Sequence, residues 1–205
     1  MTHPLRCRCG HLRGVLHQPE KGLRGVCYCR DCQAFAAFLG TPAGMLDAMA
    51  GSDVIAVPPQ QLSFSQGQDK LACMSLSPQG MLRWYASCCN TPIGNTPRDI
   101  KMPHLGLLHS CLEDPSDPNP AAAYAKAFGP VRMVVNTQSA KGGKPQTMLL
   151  STLLSVARFM LRLLRIRLNG SYRRNPFFDA SSGAPIQPVQ VLSKAQRERL
   201  TPSAG

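Results

Sequence analysis

Cys7-Arg8-Cys9-Gly10, followed by Cys27-Tyr28-Cys29-Arg30-Asp31-Cys32 and by Cys88-Cys89-Asn90-Thr91-Pro92, gathers seven of the nine cysteines of this 205-residue sequence into three short groups. Thiols spaced this closely make metal sites, and zinc matches the pattern best. Disulfides need Cα separations and Cβ directions that C-x-C and C-C pairs seldom supply without strain, so local bridging is a poor alternative. Nine cysteines is an odd count, and Thr2-His3-Pro4-Leu5-Arg6 runs from Met1 into the first cluster without a cleavable apolar leader. A cytoplasmic protein with reduced thiols is therefore expected. Cys73 and Cys111 stand alone and are read as small buried hydrophobes.

Cys7 and Cys9 are two residues apart, so on a strand both side chains leave the same face. Gly10 permits the sharp turn that follows. Two local ligands need thiols from elsewhere to complete a tetrahedron, and Cys88 and Cys89 are the unassigned candidates. Metal binding would offset the cost of closing that loop of about eighty residues, which makes the site structural. Cys27, Cys29 and Cys32 can converge on one ion without distant help. Three protein ligands leave a position open, as in catalytic zinc sites where an exogenous thiol or water becomes a nucleophile. Two Zn²⁺ are thus expected, with Cys27, Cys29 and Cys32 as the catalytic set. Arg24 and Arg30 either stabilise thiolate charge or are solvated surface. His11, His17, His104 and His109 are read as packed or exposed rather than ligating, and Asp31 as a helix cap.

Around these groups, short apolar stretches punctuated by Gly, Pro, Ser and Asp fill the chain up to about Asp114: Leu12 to Leu16, Val54 to Val57, Leu71 to Leu76, Met81 to Tyr85 and Leu105 to Leu112. This predicts a mainly β domain over residues 1–115, with one short helix at Asp31 to Phe38. Glu113-Asp114-Pro115-Ser116-Asp117-Pro118-Asn119-Pro120 opposes regular structure and marks a boundary. The extension of 116–205 carries the clearest helix, Gln146 to Leu168, on which Ser151, Ser155, Arg158, Arg162 and Arg165 share a narrow stripe and nearly everything else is apolar. Asn169-Gly170 stops it. Its apolar run is too short to span a bilayer. Such a face packs on the β domain or a second copy of the chain, or lies on an anionic membrane surface. Tyr172 to Asp179 predicts an extended segment with two aromatic anchors, Phe177 and Phe178, and Gln196 to Leu200 a last helical turn.

The formal net charge of +12 suggests an anionic partner, but the charge is unevenly placed. Residues 1–101 hold ten Lys and Arg against six Asp and Glu, and seven thiolates with two divalent ions bring that segment close to neutral. No acidic residue occurs between Asp117 and Asp179, a stretch with ten basic ones. Sequence-specific nucleic-acid reading is not expected, because the cysteine spacings match no familiar zinc finger and the basic stretch has few aromatics.

In C-x-C-G at Cys7 to Gly10, C-x-C-x2-C at Cys27 to Cys32, and the distal cysteines ending in Thr91-Pro92, the chain resembles the glutathione-dependent formaldehyde-activating enzyme and centromere protein V-like family. Gly80-Met81-Leu82-Arg83-Trp84-Tyr85 and Leu107 to Cys111 with Leu112-Glu113-Asp114-Pro115 add to the likeness, which covers roughly the first 115 residues. The resemblance implies a β-tent of antiparallel sheets around zinc. It also implies a structural ion on Cys7, Cys9 and Cys89 and a labile catalytic ion on Cys27, Cys29 and Cys32. The family's last cluster is C-x-x-C-G, whereas Ala86-Ser87-Cys88-Cys89-Asn90 puts Ala86 at the first cysteine's place, so either Cys88 substitutes or the site keeps three ligands. The implied activity is that of a carbon-sulfur lyase or synthase joining glutathione and formaldehyde into S-hydroxymethylglutathione. The other reading is a non-catalytic zinc module that uses its basic helix to dock on a membrane, protein or nucleic acid.

Overall fold

The computed structural model describes residues 1–40, 44–113, 117–143, 145 and 150–202. It is mainly β, as the sequence predicts. β1 (Thr2–Arg6), β2 (Arg13–His17) and β5 (Leu62–Gln66) form a three-stranded antiparallel sheet in the order β1-β2-β5. The second sheet has at its centre β3 (Leu23–Cys27), β4 (Ser52–Val57), β9 (Leu105–Leu108), β8 (Thr91–Thr96), β7 (Leu82–Ala86) and β6 (Leu71–Ser75), each antiparallel to its neighbour. Period-2 patterning explains the outer strands: in β1, His3 and Leu5 point inward while Thr2 and Pro4 face solvent. β8 and β9 are buried along their whole lengths, as strands covered on both faces must be.

The extension supplies the two edges of the larger sheet, and both run parallel to their partners. β10 (Met133–Val135) pairs with β3, and β11 (Val189–Val191) pairs with β6, completing an eight-stranded sheet. The antiparallel expectation therefore holds for the centre and is corrected at the margins. Each edge strand has three residues, which leaves little unpaired backbone for another chain to extend.

Helices close the structure. α1 (Arg30–Leu39) buries Ala34, Phe35, Ala36 and Leu39 and ends at Gly40, whose φ of 68° is left-handed. Its cap is Cys29 rather than Asp31: the Cys32 N–H donates to Cys29 Sγ at 3.4 Å. Asp31 lies in the first turn, where a negative charge suits the helix dipole. α2 (Pro120–Phe128), which the run of prolines and acids concealed, is capped by Asn119 Oδ1 accepting from the Ala122 N–H. α3 (Leu150–Leu168) corresponds to the long helix, with Gly170 in the left-handed stop; the expected first turn, 146–149, lies outside the described residues. α4 (Lys194–Leu200) begins with a Ser193/Gln196 capping box, two residues before the expected start.

One core joins both sheets to the extension. Trp84 donates its indole N–H to Thr96 Oγ1 at 2.9 Å and stacks at 4.9 Å on Phe177, which in turn meets Phe64 edge-on at 5.6 Å. Phe177 and Phe178 are both buried in this cluster with Leu5, Leu16 and Ile93. Each contributes about 1.5–3 kcal/mol by burial alone. The two anchors thus fasten the extension across the sheets.

Candidate metal centres

The sheets carry the cysteines to two places. Cys7 follows β1, and Cys9 lies in the turn whose Gly10 has φ 78° and donates its N–H to the Cys7 carbonyl. Cys88 and Cys89 occupy the β7–β8 connection, where Asn90 adopts a left-handed φ of 54°. Their four Sγ atoms all lie within 4.8 Å of one another. Individual separations are 3.5 Å for Cys7–Cys9, 3.8 Å for Cys7–Cys88, 3.3 Å for Cys9–Cys88 and 3.9 Å for Cys88–Cys89. Sulfurs bound to one tetrahedral ion at about 2.3 Å would stand about 3.8 Å apart, so the group fits a metal and is far too open for disulfides. The fourth place, left between Cys88 and none, has Cys88 Sγ beside it. The Leu12 N–H donates to Cys7 Sγ at 3.3 Å, and the Arg8 N–H to Thr91 Oγ1 at 2.9 Å, so the two sheets are stitched where the thiols meet.

The second cluster is built at one end of α1. Cys27 ends β3, Cys29 caps the helix and Cys32 lies in its first turn; the three Sγ atoms again fall within 4.8 Å. Among the described residues no fourth Cys, His, Asp or Glu joins them. Each cluster can therefore hold a metal ion, the first with four thiols and the second with three. The Asn136 side-chain amide donates to Cys27 Sγ at 3.3 Å. It is held there by β10, because the Tyr28 N–H donates to the Val135 carbonyl and Gln33 Nε2 to the Ser139 carbonyl.

The ionisation of the sulfurs reflects this packing. Hydrogen bonds from Cys29 and Cys32 pull the Cys27 thiol down to about 2. The bond that Cys29 donates to Cys27 raises Cys29, and bonds with Cys27 and then Cys29 raise Cys32 well above the ordinary range. Metal ligation takes the thiolate form, so a divalent ion bound here would displace the protons that the raised thiols keep. In the first cluster, hydrogen bonding by His11 lowers Cys9 to about 5, while burial raises Cys7 and Cys88.

Three residues at the clusters escaped the sequence reading. His11, read there as packed or exposed, has Nδ1 3.1 Å from Cys9 Sγ. Asn136 belongs to the extension, far from any cysteine in sequence. Arg83 is buried, stacks 5.5 Å over Phe35, approaches Asp31 at 3.6 Å, and its charge acts on Cys32. Arg24, conversely, leaves the site: it forms a 2.7 Å ion pair with Asp53, stacks on Tyr124 and donates to the Gly129 carbonyl. Arg30 lines a cleft of about 450 Å³ with Gln33, Ser139 and Lys141. His104 and His109 pack against Phe159 and Tyr124. Cys73 and Cys111 are buried, and burial pushes the Cys73 thiol up to about 12.

Asn136→Ala is expected to weaken metal binding at the three-thiol cluster about 10–100-fold, as loss of a partner to a ligand does, while the four-thiol cluster keeps its affinity. Titration against a competing chromogenic chelator reads both.

No curated protein matches this chain. The crystal structure of a Rhodobacter sphaeroides protein is similar at 16% identity and a TM-score of 0.38, covering 64% of this chain and 98% of that one. A family model described as "Family of unknown function (DUF6151)" matches residues 1–189. That span takes in both cysteine clusters, Asn136, α3 and the first residue of β11, and the chain belongs to this family.

Proposed function

We propose that the protein is a two-zinc carbon-sulfur lyase or synthase, in which Cys7, Cys9, Cys88 and Cys89 hold a structural ion and Cys27, Cys29 and Cys32 a catalytic one. The observation that carries the reading is the unequal donor count: four thiols where two sheets meet, three at a helix N-terminus. The resemblance of the cysteine motifs to the glutathione-dependent formaldehyde-activating family supports the same assignment.

A zinc ion on the three thiolates would supply a Lewis-acidic position for an exogenous thiol. The chain's own residues prepare that position. α1 directs its N-terminal dipole at the sulfurs, and the charge of buried Arg83 favours the thiolate of Cys32. Asn136 holds Cys27 in place. Arg30, next to Cys29 in the chain, lines a cleft with Lys141, and the two suit the carboxylates of a glutathione-type thiol. In the overall reaction the thiol sulfur bonds to the carbonyl carbon of formaldehyde, the carbonyl π pair passes to oxygen, and the thiol proton ends on that oxygen as S-hydroxymethylglutathione forms.

The zinc-loaded protein is expected to accelerate the formaldehyde-dependent loss of free glutathione followed by proton NMR. A rate equal to the uncatalysed one in a preparation with both ions bound would reject the lyase assignment.

A further inference from the structure

α3 presents three faces. Phe159 and Leu163 are buried with Leu23 and Ala56 of the large sheet, with Val156 packed beside them. On the opposite side Leu153, Leu154, Ala157, Met160, Leu161, Leu164 and Leu168 are all exposed, Leu153 to 67% and Leu168 to 78%. At about 100° per residue these positions fill roughly a third of the circumference as one continuous stripe. Exposed Arg158 and Arg165 border it on one side and exposed Arg167 on the other. The edge with the arginine stripe is not where the helix packs; on it Arg162 is half-buried and donates to the Lys21 carbonyl in the turn before β3.

We propose that this outer face seats the protein on an anionic membrane surface, independently of the chemistry at the cysteine clusters. A soluble chain seldom leaves so long an apolar stripe uncovered. Among the described residues no helix is long and apolar enough to cross a membrane, so α3 lies in the interface plane rather than through it. The charge pattern selects the occupant. Pairing with a second copy would bring the arginines of two helices to the same seam, and no Asp or Glu lies anywhere on α3 to answer them. A layer of anionic headgroups supplies that countercharge along both borders while the acyl boundary takes the leucines.

The test is co-sedimentation of the full metal-loaded chain with vesicles of phosphatidylcholine alone and of an equimolar mixture with phosphatidylglycerol. Binding is expected to the mixed vesicles only and to fall with salt. Leu161→Ser with Leu164→Ser should weaken it at least about tenfold, and Arg158→Gln and Arg165→Gln about fivefold each. These side chains are exposed, so metal content and melting temperature should not change. Equal affinity for both vesicles, no binding, or binding that survives the leucine replacements would overturn the proposal. So would a dimer, seen by sedimentation velocity, that the leucine replacements dissolve in a protein that does not bind vesicles.

Discussion

Cys7→Ser is expected to destabilise the protein by at least about 4–5 kcal/mol, with a fall in melting temperature of roughly 10–15 °C. Cys7 is buried, 81 residues from Cys88, and its sulfur lies where the small sheet meets the β7–β8 connection of the large one. Serine would leave three thiols for the ion, put an ill-fitting hydroxyl among buried groups and break the Leu12 N–H bond to sulfur. A structural zinc is worth about 10–16 kcal/mol of binding free energy in small domains, of the same order as the whole stability of a globular protein. The shared core of Leu5, Leu16, Trp84 and Phe177 keeps the loss below that figure. Chelation of the wild type should reproduce the shift in thermal denaturation and leave the variant little changed.

Under the proposed lyase reading, Cys29→Ser is expected to reduce turnover by about a thousandfold or more, since Lewis-acid activation would supply several kcal/mol of barrier lowering. Stability should fall far less than in Cys7→Ser. The three-thiol group spans only Cys27 to Cys32, so it closes a short loop that β3 and α1 already hold in place. Serine can also take over the capping bond from the Cys32 N–H that Cys29 Sγ now accepts. Steady-state rates alongside a denaturation curve separate the two outcomes: activity lost with the fold kept, against activity lost because the chain unfolds.

These contrasts trace to features with different visibility in the sequence. The C-x-C and C-x2-C spacings are local, so convergence within each cluster could be read directly, as could the β texture of alternating short runs. Joining Cys7 to Cys88 depends on how the β7–β8 connection turns, through an Asn90 backbone conformation that side-chain type only hints at. Met133–Val135 and Val189–Val191 are too short to announce strands, and parallel pairing across more than a hundred residues has no local signal. Asn136 was hidden for the same reason, since β10 carries it to Cys27. Arg24 could have been excluded: it lies three residues before Cys27 on one strand, so the two side chains leave opposite faces. Cys29 takes the cap from Asp31 because one sulfur can serve the helix end and the cluster together. In α3 the periodicity identified a helix, but its broad apolar surface did not say which part packs. The buried edge is Phe159, Leu163 and Ile166, and much of the rest stays in solvent.

The claim that two separate centres exist, one closed and one open, is tested most directly by counting metal. Elemental analysis of the purified wild type and of Cys29→Ser should give two zinc ions per chain falling to one, with the remaining ion resistant to mild chelation. No bound metal in the wild type, or loss of both ions on the single replacement at Cys29, would contradict it.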